Sequence, residues 1–159
     1  MPSSDKSHNL LKPLASDAAQ DAVAGIIVLE DGRYLMQLRD DIPGIFYPDH
    51  WGLFGGAIQK GEGFEEALLR ELSEELSYEF VSLNYFTKMN FCFENLNGNK
   101  VVRMFFEIKI SSELLNQFNL GEGQALAAMN VEEILLHKRV VPYDAFAIWM
   151  HFTRLNQQQ

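Results

Sequence analysis

The segment from Gly56 to Tyr78 limits what this chain can fold into more than any other part of it. Phe64, Leu68, Leu72 and Leu76 recur every four positions, with Ala67 and Leu69 beside them, which predicts a helix from Phe64 to about Leu76 with a single apolar stripe. Glu71, Glu74 and Glu75 stand at i, i+3 and i+4, so they fall within about 100° of one another on that helix. Glu75 is rotated from Leu68 by only about 20° and Glu71 by about 60°, so both border the stripe and face the body of the fold. Like charges at such spacings cost on the order of a few tenths of a kcal/mol per pair on an open helix, and more once partly buried. Arg70 offsets part of this. It projects about 100° from Glu71, which favours pairing with Glu74 or with an acid in the preceding loop. A hard divalent cation such as Mg²⁺ or Mn²⁺, held by carboxylate oxygens and water, accounts for the cluster economically. A solvated acidic helix face is the alternative, and helix geometry alone leaves both open.

The flanking segments read as strands and loops. Val23 to Leu29 and Tyr34 to Leu38 are β-rich runs joined by Glu30-Asp31-Gly32-Arg33, a hairpin turn signal. Asp40 to His50 carries Pro43, Gly44 and Pro48 and predicts an irregular loop leading into Trp51-Gly52-Leu53-Phe54-Gly55-Gly56. The paired glycines allow backbone, or a ligand, to approach closely. Phe80 to Phe93 and Val101 to Ile110 predict a second hairpin around Asn97-Gly98. Ser112 to Phe118 reads as a helical turn, and Leu120 to Gln124 as a glycine-flanked loop carrying Glu122. Asn130 and Glu133 form a capping-box pair that opens a short helix, and Pro142 opens a terminal helix running to about Arg154. Together the strands predict a mixed or antiparallel sheet.

With 159 residues and 47% hydrophobic content, the chain can bury one substantial core. The expected layout is an N-terminal arm over 1–20, one domain over 21–155 and a polar tail over 156–159. No apolar run approaches the roughly 20 residues of a membrane span. No targeting signal is evident, and the lone Cys92 forms neither an internal disulfide nor a cysteine-based zinc site, which fits a cytoplasmic setting. A net charge of −9 argues against a nucleic-acid polymer as partner and calls for local cations if the substrate is anionic.

Gly56, five residues, Glu62, seven residues, then Arg70-Glu71-Leu72-Ser73-Glu74-Glu75-Leu76-Ser77-Tyr78 resembles the signature of the Nudix hydrolases. Ser77 departs from the glycine usual at the helix end, where a left-handed residue is favoured. Phe54 stands where proline is frequent. The resemblance implies an α+β fold, a Nudix-like α/β/α sandwich with a mixed central sheet. It also implies that Glu71, Glu74 and Glu75 hold Mg²⁺ or Mn²⁺ with the Gly56 carbonyl, while Glu62 and Arg70 support them. The activity it implies is cleavage of a diphosphate linkage in a nucleoside diphosphate derivative, with Glu74 or Glu75 as base and Glu122 as its rival.

Around this centre, Arg39, Gly55, Phe46, Trp51 and Arg103 are candidate substrate contacts: the arginines toward phosphates, the aromatic rings toward a base. Each has an ordinary reading as well, as an ion-pair partner or as packing. Phe146, Trp149, Met150 and Phe152 read as core or as a homodimer contact, and the histidines have no ligand role. The branch markers do not select a substrate. The ADP-ribose branch usually has proline where this chain has Phe93, and the tyrosine of the dinucleoside polyphosphate branch and a coenzyme A signature are missing. That leaves nucleoside triphosphates, which a small domain favours, or nucleotide sugars. A non-catalytic nucleotide-binding or regulatory module with the same fold is the reading of a different class.

Overall fold

The computed structural model describes residues 20–92 and 100–156. The N-terminal arm to residue 19, the Asn97-Gly98 turn with Phe93, and the tail 157–159 lie outside the described residues.

Strand β1 (Ala22–Leu29) is apolar almost throughout because both of its faces are covered. It runs parallel to β5 (Lys100–Ile110) over eight residue pairs, from Ala22 opposite Arg103 to Leu29 opposite Ile110. On its other side it forms the expected hairpin with β2 (Tyr34–Leu38). β2 continues into antiparallel pairing with β3 (Trp51–Gly52), while β4 (Asn84–Cys92) pairs antiparallel with β5. The sheet is therefore mixed, ordered β3-β2-β1-β5-β4, with β6 (Ala125–Met129) on the second edge of β2.

Helix α1 (Phe64–Leu76) covers one face and α2 (Pro142–Asn156) the other. Side-chain alternation divides the core accordingly. Val23, Ile27, Leu35 and Phe106 meet Leu68, Leu72 and Leu76 of α1, whereas Ala24, Ile26, Met36 and Phe105 meet Ala147 and Ile148 of α2. This is the α/β/α sandwich that the sequence implies.

Three local readings change. The run beginning at Phe80 becomes a strand only at Asn84, because Phe80 instead joins Tyr78 and Phe118 in an aromatic cluster below the end of α1. β6, with the sequence ALAAM, was not expected as a strand. Its alanine-rich sequence has little β-propensity, and five pairs with β2 impose the conformation. Phe146 and Trp149 are not core: they stack on each other at 5.9 Å on the outer side of α2, about half exposed. The Asn130–Glu133 capping box forms as read, each backbone N–H donating to the other residue's side chain, and it opens a short π-type turn over Glu133–His137. Among the described residues, no helix is long and apolar enough to cross a membrane.

Candidate metal and phosphate site

The start of β1 and the approach to α1 are bound together. Val23 N–H donates to the Gly56 carbonyl and Gly25 N–H to the Phe54 carbonyl, both at 2.9 Å, so Gly55 and Gly56 lie flat against the central strand. Gly55 has φ +135°, and a Cβ there would run into the Val23 carbonyl. At Gly56 the neighbour is different: a Cβ would stand 2.5–2.7 Å from the Glu71 carboxylate, which occupies that space instead. Helix α1 then begins at Gly63, whose N–H is accepted by Glu66 at 2.9 Å, and closes at Ser77, left-handed at φ 52°.

Arg70 organises the acids. Its Nε and Nη2 grip Glu62 in a two-point fork at 2.8 and 3.0 Å, and Nη2 also donates to the Ala57 carbonyl at 3.1 Å. Its Nη1 donates to Glu71 Oε1 at 2.6 Å and reaches Glu74 only at 3.5 Å. Helix rotation favours Glu74 or an acid in the preceding loop; the loop acid, Glu62, takes the fork, and Nη1 goes to Glu71 in place of Glu74. Reaching back to Glu62 and Ala57 draws the guanidinium toward the helix N-terminus and away from Glu74, one turn in the other direction. The Arg70 fork holds the Glu62 carboxyl below the usual carboxylate range, and the same bond raises the pKa of Arg70.

Glu75 is buried, at 4% exposure. Its Oε1 accepts from Gln37 Nε2 and its Oε2 from Gly55 N–H, both at 2.8 Å. Burial nevertheless pushes its pKa up to about 7, outweighing the two donors, with Glu71 and Glu122 adding repulsion. Glu71 is raised for the same first reason, against the pull of Arg70. Glu74 is half exposed. Glu122 is exposed, but its loop is tied to the end of α1, where Asn119 N–H donates to Leu76 O and Gly121 N–H to Glu75 O. That places its charge within reach of Glu71 and Glu75.

Among the described residues, no three carboxylate, imidazole or thiol groups converge as a metal shell; Glu75 and Glu71 are engaged by amide and guanidinium donors. The donor set still fits a hard cation. It offers carboxylate oxygens, a Gly56 carbonyl with one of its two lone pairs taken by Val23, and a side-chain-free cradle at Gly56.

The remaining candidates lie toward the α2 face. Arg39 donates Nε–H to the Phe46 carbonyl at 2.8 Å, and the Asp40 to His50 loop folds over it. Trp51 is half-buried against the α2-side core, with Lys138 5.8 Å from its ring centroid. Arg103 is nearly buried, paired with Asp144 at 3.2 Å and 4.8 Å from the Tyr143 ring centroid, and its charge acts on Glu75. Glu62, Arg70, Glu71 and Glu75 are thus linked to one another or to Gly55-Gly56, with Glu74 and the Glu122 loop at the edge, whereas Arg39 lies beside Gly52, Arg103 reaches Leu53 through Asp144, and Phe46 is met through Arg39. Two residues at the site had escaped notice. Asp144 is buried and accepts from Leu53 N–H at 3.0 Å as well as from Arg103, which nothing in its sequence context signals. Gln37 is an amide on the strand face shared with Leu35, and that break in an apolar pattern was the signal available.

Residues 19–150 match the family model described as NUDIX domain. A nucleoside triphosphatase, NudI, of Escherichia coli O139:H28 is 42% identical over 55 residues; the match covers 35% of this chain and spans only 38% of that relative's length. Among solved structures, a MutT protein from Methanosarcina mazei Go1 superposes with a TM-score of 0.68 at 22% identity, over 87% of this chain and 98% of that one. The E. coli dihydroneopterin triphosphate pyrophosphohydrolase also gives 0.68, at 20% identity, over 86% of this chain and 96% of that one. With residues 19–150, most of the chain, matched by the family model and the same fold in these structures, the chain belongs to the NUDIX domain family.

Proposed function

We propose that this protein is a divalent-metal-dependent pyrophosphohydrolase that cleaves a diphosphate linkage in a nucleoside diphosphate derivative, with nucleoside triphosphates the favoured class. Family membership supports hydrolysis of nucleotide anhydrides in general. The preference for triphosphates draws on the likeness to NudI, over a limited stretch, and on the compact domain. The observation that carries the reading is the Glu71 carboxylate lodged against Gly56 and the Glu75 carboxylate on the Gly55 N–H, with Arg70 clamped between Glu62 and Glu71.

In this reading Glu71, Glu74, Glu75 and the Gly56 carbonyl hold Mg²⁺ or Mn²⁺. A bound cation of this kind neutralises anhydride oxygens and acidifies water. The chain itself supplies the rest. Arg70 and Glu62 fix the carboxylates, the open backbone at Gly55-Gly56 admits the phosphates, and Arg39 and Arg103 offer positive charge on the α2 side. Phe46 and Trp51 offer surfaces for a base. The proton of the attacking water passes to a carboxylate of the cluster, Glu74 or Glu75, with Glu122 as the competitor.

The test is a panel of nucleoside triphosphates and nucleotide sugars with Mg²⁺ or Mn²⁺, comparing wild type with Glu75→Gln. Wild type should release pyrophosphate or phosphate from at least one triphosphate, and the variant should lose about a hundredfold or more in kcat. Equal rates in the two proteins would refute the assignment.

A further inference from the structure

Gln37 lies one residue before the end of β2, on the α1 side of the sheet, and is 3% exposed. Its Nε2 donates to Glu75 Oε1 at 2.8 Å and lies 3.4 Å from the Leu53 carbonyl. Two acceptors on that side fix the orientation of the amide, since the opposite one would set its oxygen against a carboxylate and a carbonyl. The amide oxygen faces Gly123, where a Cβ would come within 3.0 Å of it. Gly123 has φ +87°, and its loop is stitched to β2 by Gln124 N–H donating to the Leu38 carbonyl at 2.8 Å. The loop that carries Glu122 therefore backs Gln37 against Glu75.

Packing does not call for an amide at this position. Leu35, two residues earlier on the same face, fills its place with an apolar side chain, and one of similar length would fill position 37 as well, leaving only the acceptors that Gln37 now serves without their donor. What the amide adds is the one side-chain hydrogen bond to Glu75 among the described residues; the other donor, Gly55 N–H, belongs to the backbone.

We propose that Gln37 is a positioning residue: by holding Oε1 while Gly55 holds Oε2, it sets the plane and reach of the Glu75 carboxylate for the cation. This rests on the reading of Glu71, Glu74 and Glu75 as the cation's holders. Without Gln37, Glu75 is fixed at one oxygen only and turns about its last torsion, so it meets the cation less often and in more orientations.

The test uses the full chain with Gln37→Met, which keeps length and burial but removes the donor, and Gln37→Leu as a second apolar replacement. Mn²⁺ binding is measured directly from the electron paramagnetic resonance signal of the free ion, alongside the metal-free thermal midpoint and, with an active nucleotide, kcat and KM. Both variants should stay folded and bind Mn²⁺ about ten- to a hundredfold more weakly, the usual cost of losing a hydrogen-bond partner of a metal-holding side chain. At saturating Mn²⁺, kcat should fall while KM stays within about twofold of wild type. Wild-type Mn²⁺ affinity and kcat in either folded variant would overturn the proposal, leaving the hydrolase reading intact. Weakened Mn²⁺ binding in the variants of a wild type that hydrolyses no nucleotide would uphold the positioning role and remove the hydrolase reading. A wild type that binds no Mn²⁺ would overturn both.

Discussion

At the scale of single residues, Gly55 and Gly56 share one sequence signal but face different physical limits. A side chain at Gly55 meets the backbone of Val23 and must also accept φ +135°, so nothing nearby can yield cheaply. The nearest atoms to a side chain at Gly56 are the end of Glu71, a flexible side chain that can swing away at the cost of its bond to Arg70. Gly55→Ala should therefore lose on the order of 2–4 kcal/mol of stability in chemical denaturation. Gly56→Ala should lose less than about 1 kcal/mol yet displace the Glu71 carboxylate and abolish metal-dependent hydrolysis. Equal stability losses in the two variants would contradict this distinction. The same contrast explains why Glu71 was legible as a candidate from its helix spacing, whereas the cradle it occupies was not: the cradle forms only when the Gly-Gly turn lies on β1.

At the scale of elements, α1 was readable to its boundaries. Its apolar stripe, the Glu66 side chain returning to the Gly63 N–H, and the left-handed stop at Ser77 are all local effects. Serine in that stop is strained, since left-handed backbone brings Cβ close to the following carbonyl. Ser77 is exposed, and the hydrogen bond found at the stop is made by its backbone N–H to Ser73. Ser77→Gly should accordingly raise unfolding free energy by about 0.5–1 kcal/mol, measured as a shift of the denaturation midpoint at unchanged slope. A destabilised variant would mean that the serine side chain has a role at the helix end. β6 shows the opposite balance: ALAAM carries little strand preference, and the exposed length of β2 recruited it.

At the scale of the whole molecule, the layers are also joined by polar contacts that cross the core. His151 on α2 accepts the Tyr34 hydroxyl of β2 at Nδ1, 2.9 Å away, and donates from Nε2 to Glu107 of β5 at 2.6 Å; a carboxylate can only accept, which sets the tautomer. Burial lowers the pKa of His151 from 6.5 against the pull of Glu107, with Lys109 and Arg154 lowering it further. A depressed histidine leaves stability complete above its unfolded value and removes it as pH falls through the folded value. From about pH 7 to about pH 5.5, wild type should therefore lose more of its thermal midpoint than His151→Gln. Parallel slopes would show that His151 charges as easily folded as unfolded. No sequence pattern pairs residues 34, 107 and 151, nor Arg103 with Asp144, because each of those bonds links strands and a helix far apart in the chain. By itself the sequence determined what depends on neighbours within a turn or two: the helix and its ends, the first hairpin, the i, i+3, i+4 set of glutamates, and the Glu62–Arg70 spacing that marks the family. The tertiary structure alone decided what depends on distant segments meeting. It buried Glu75 between Gln37 and Gly55, turned Arg70 onto Glu71, brought Glu122 to the end of α1 and made a strand of β6, because burial and desolvation are properties of a site assembled from several elements.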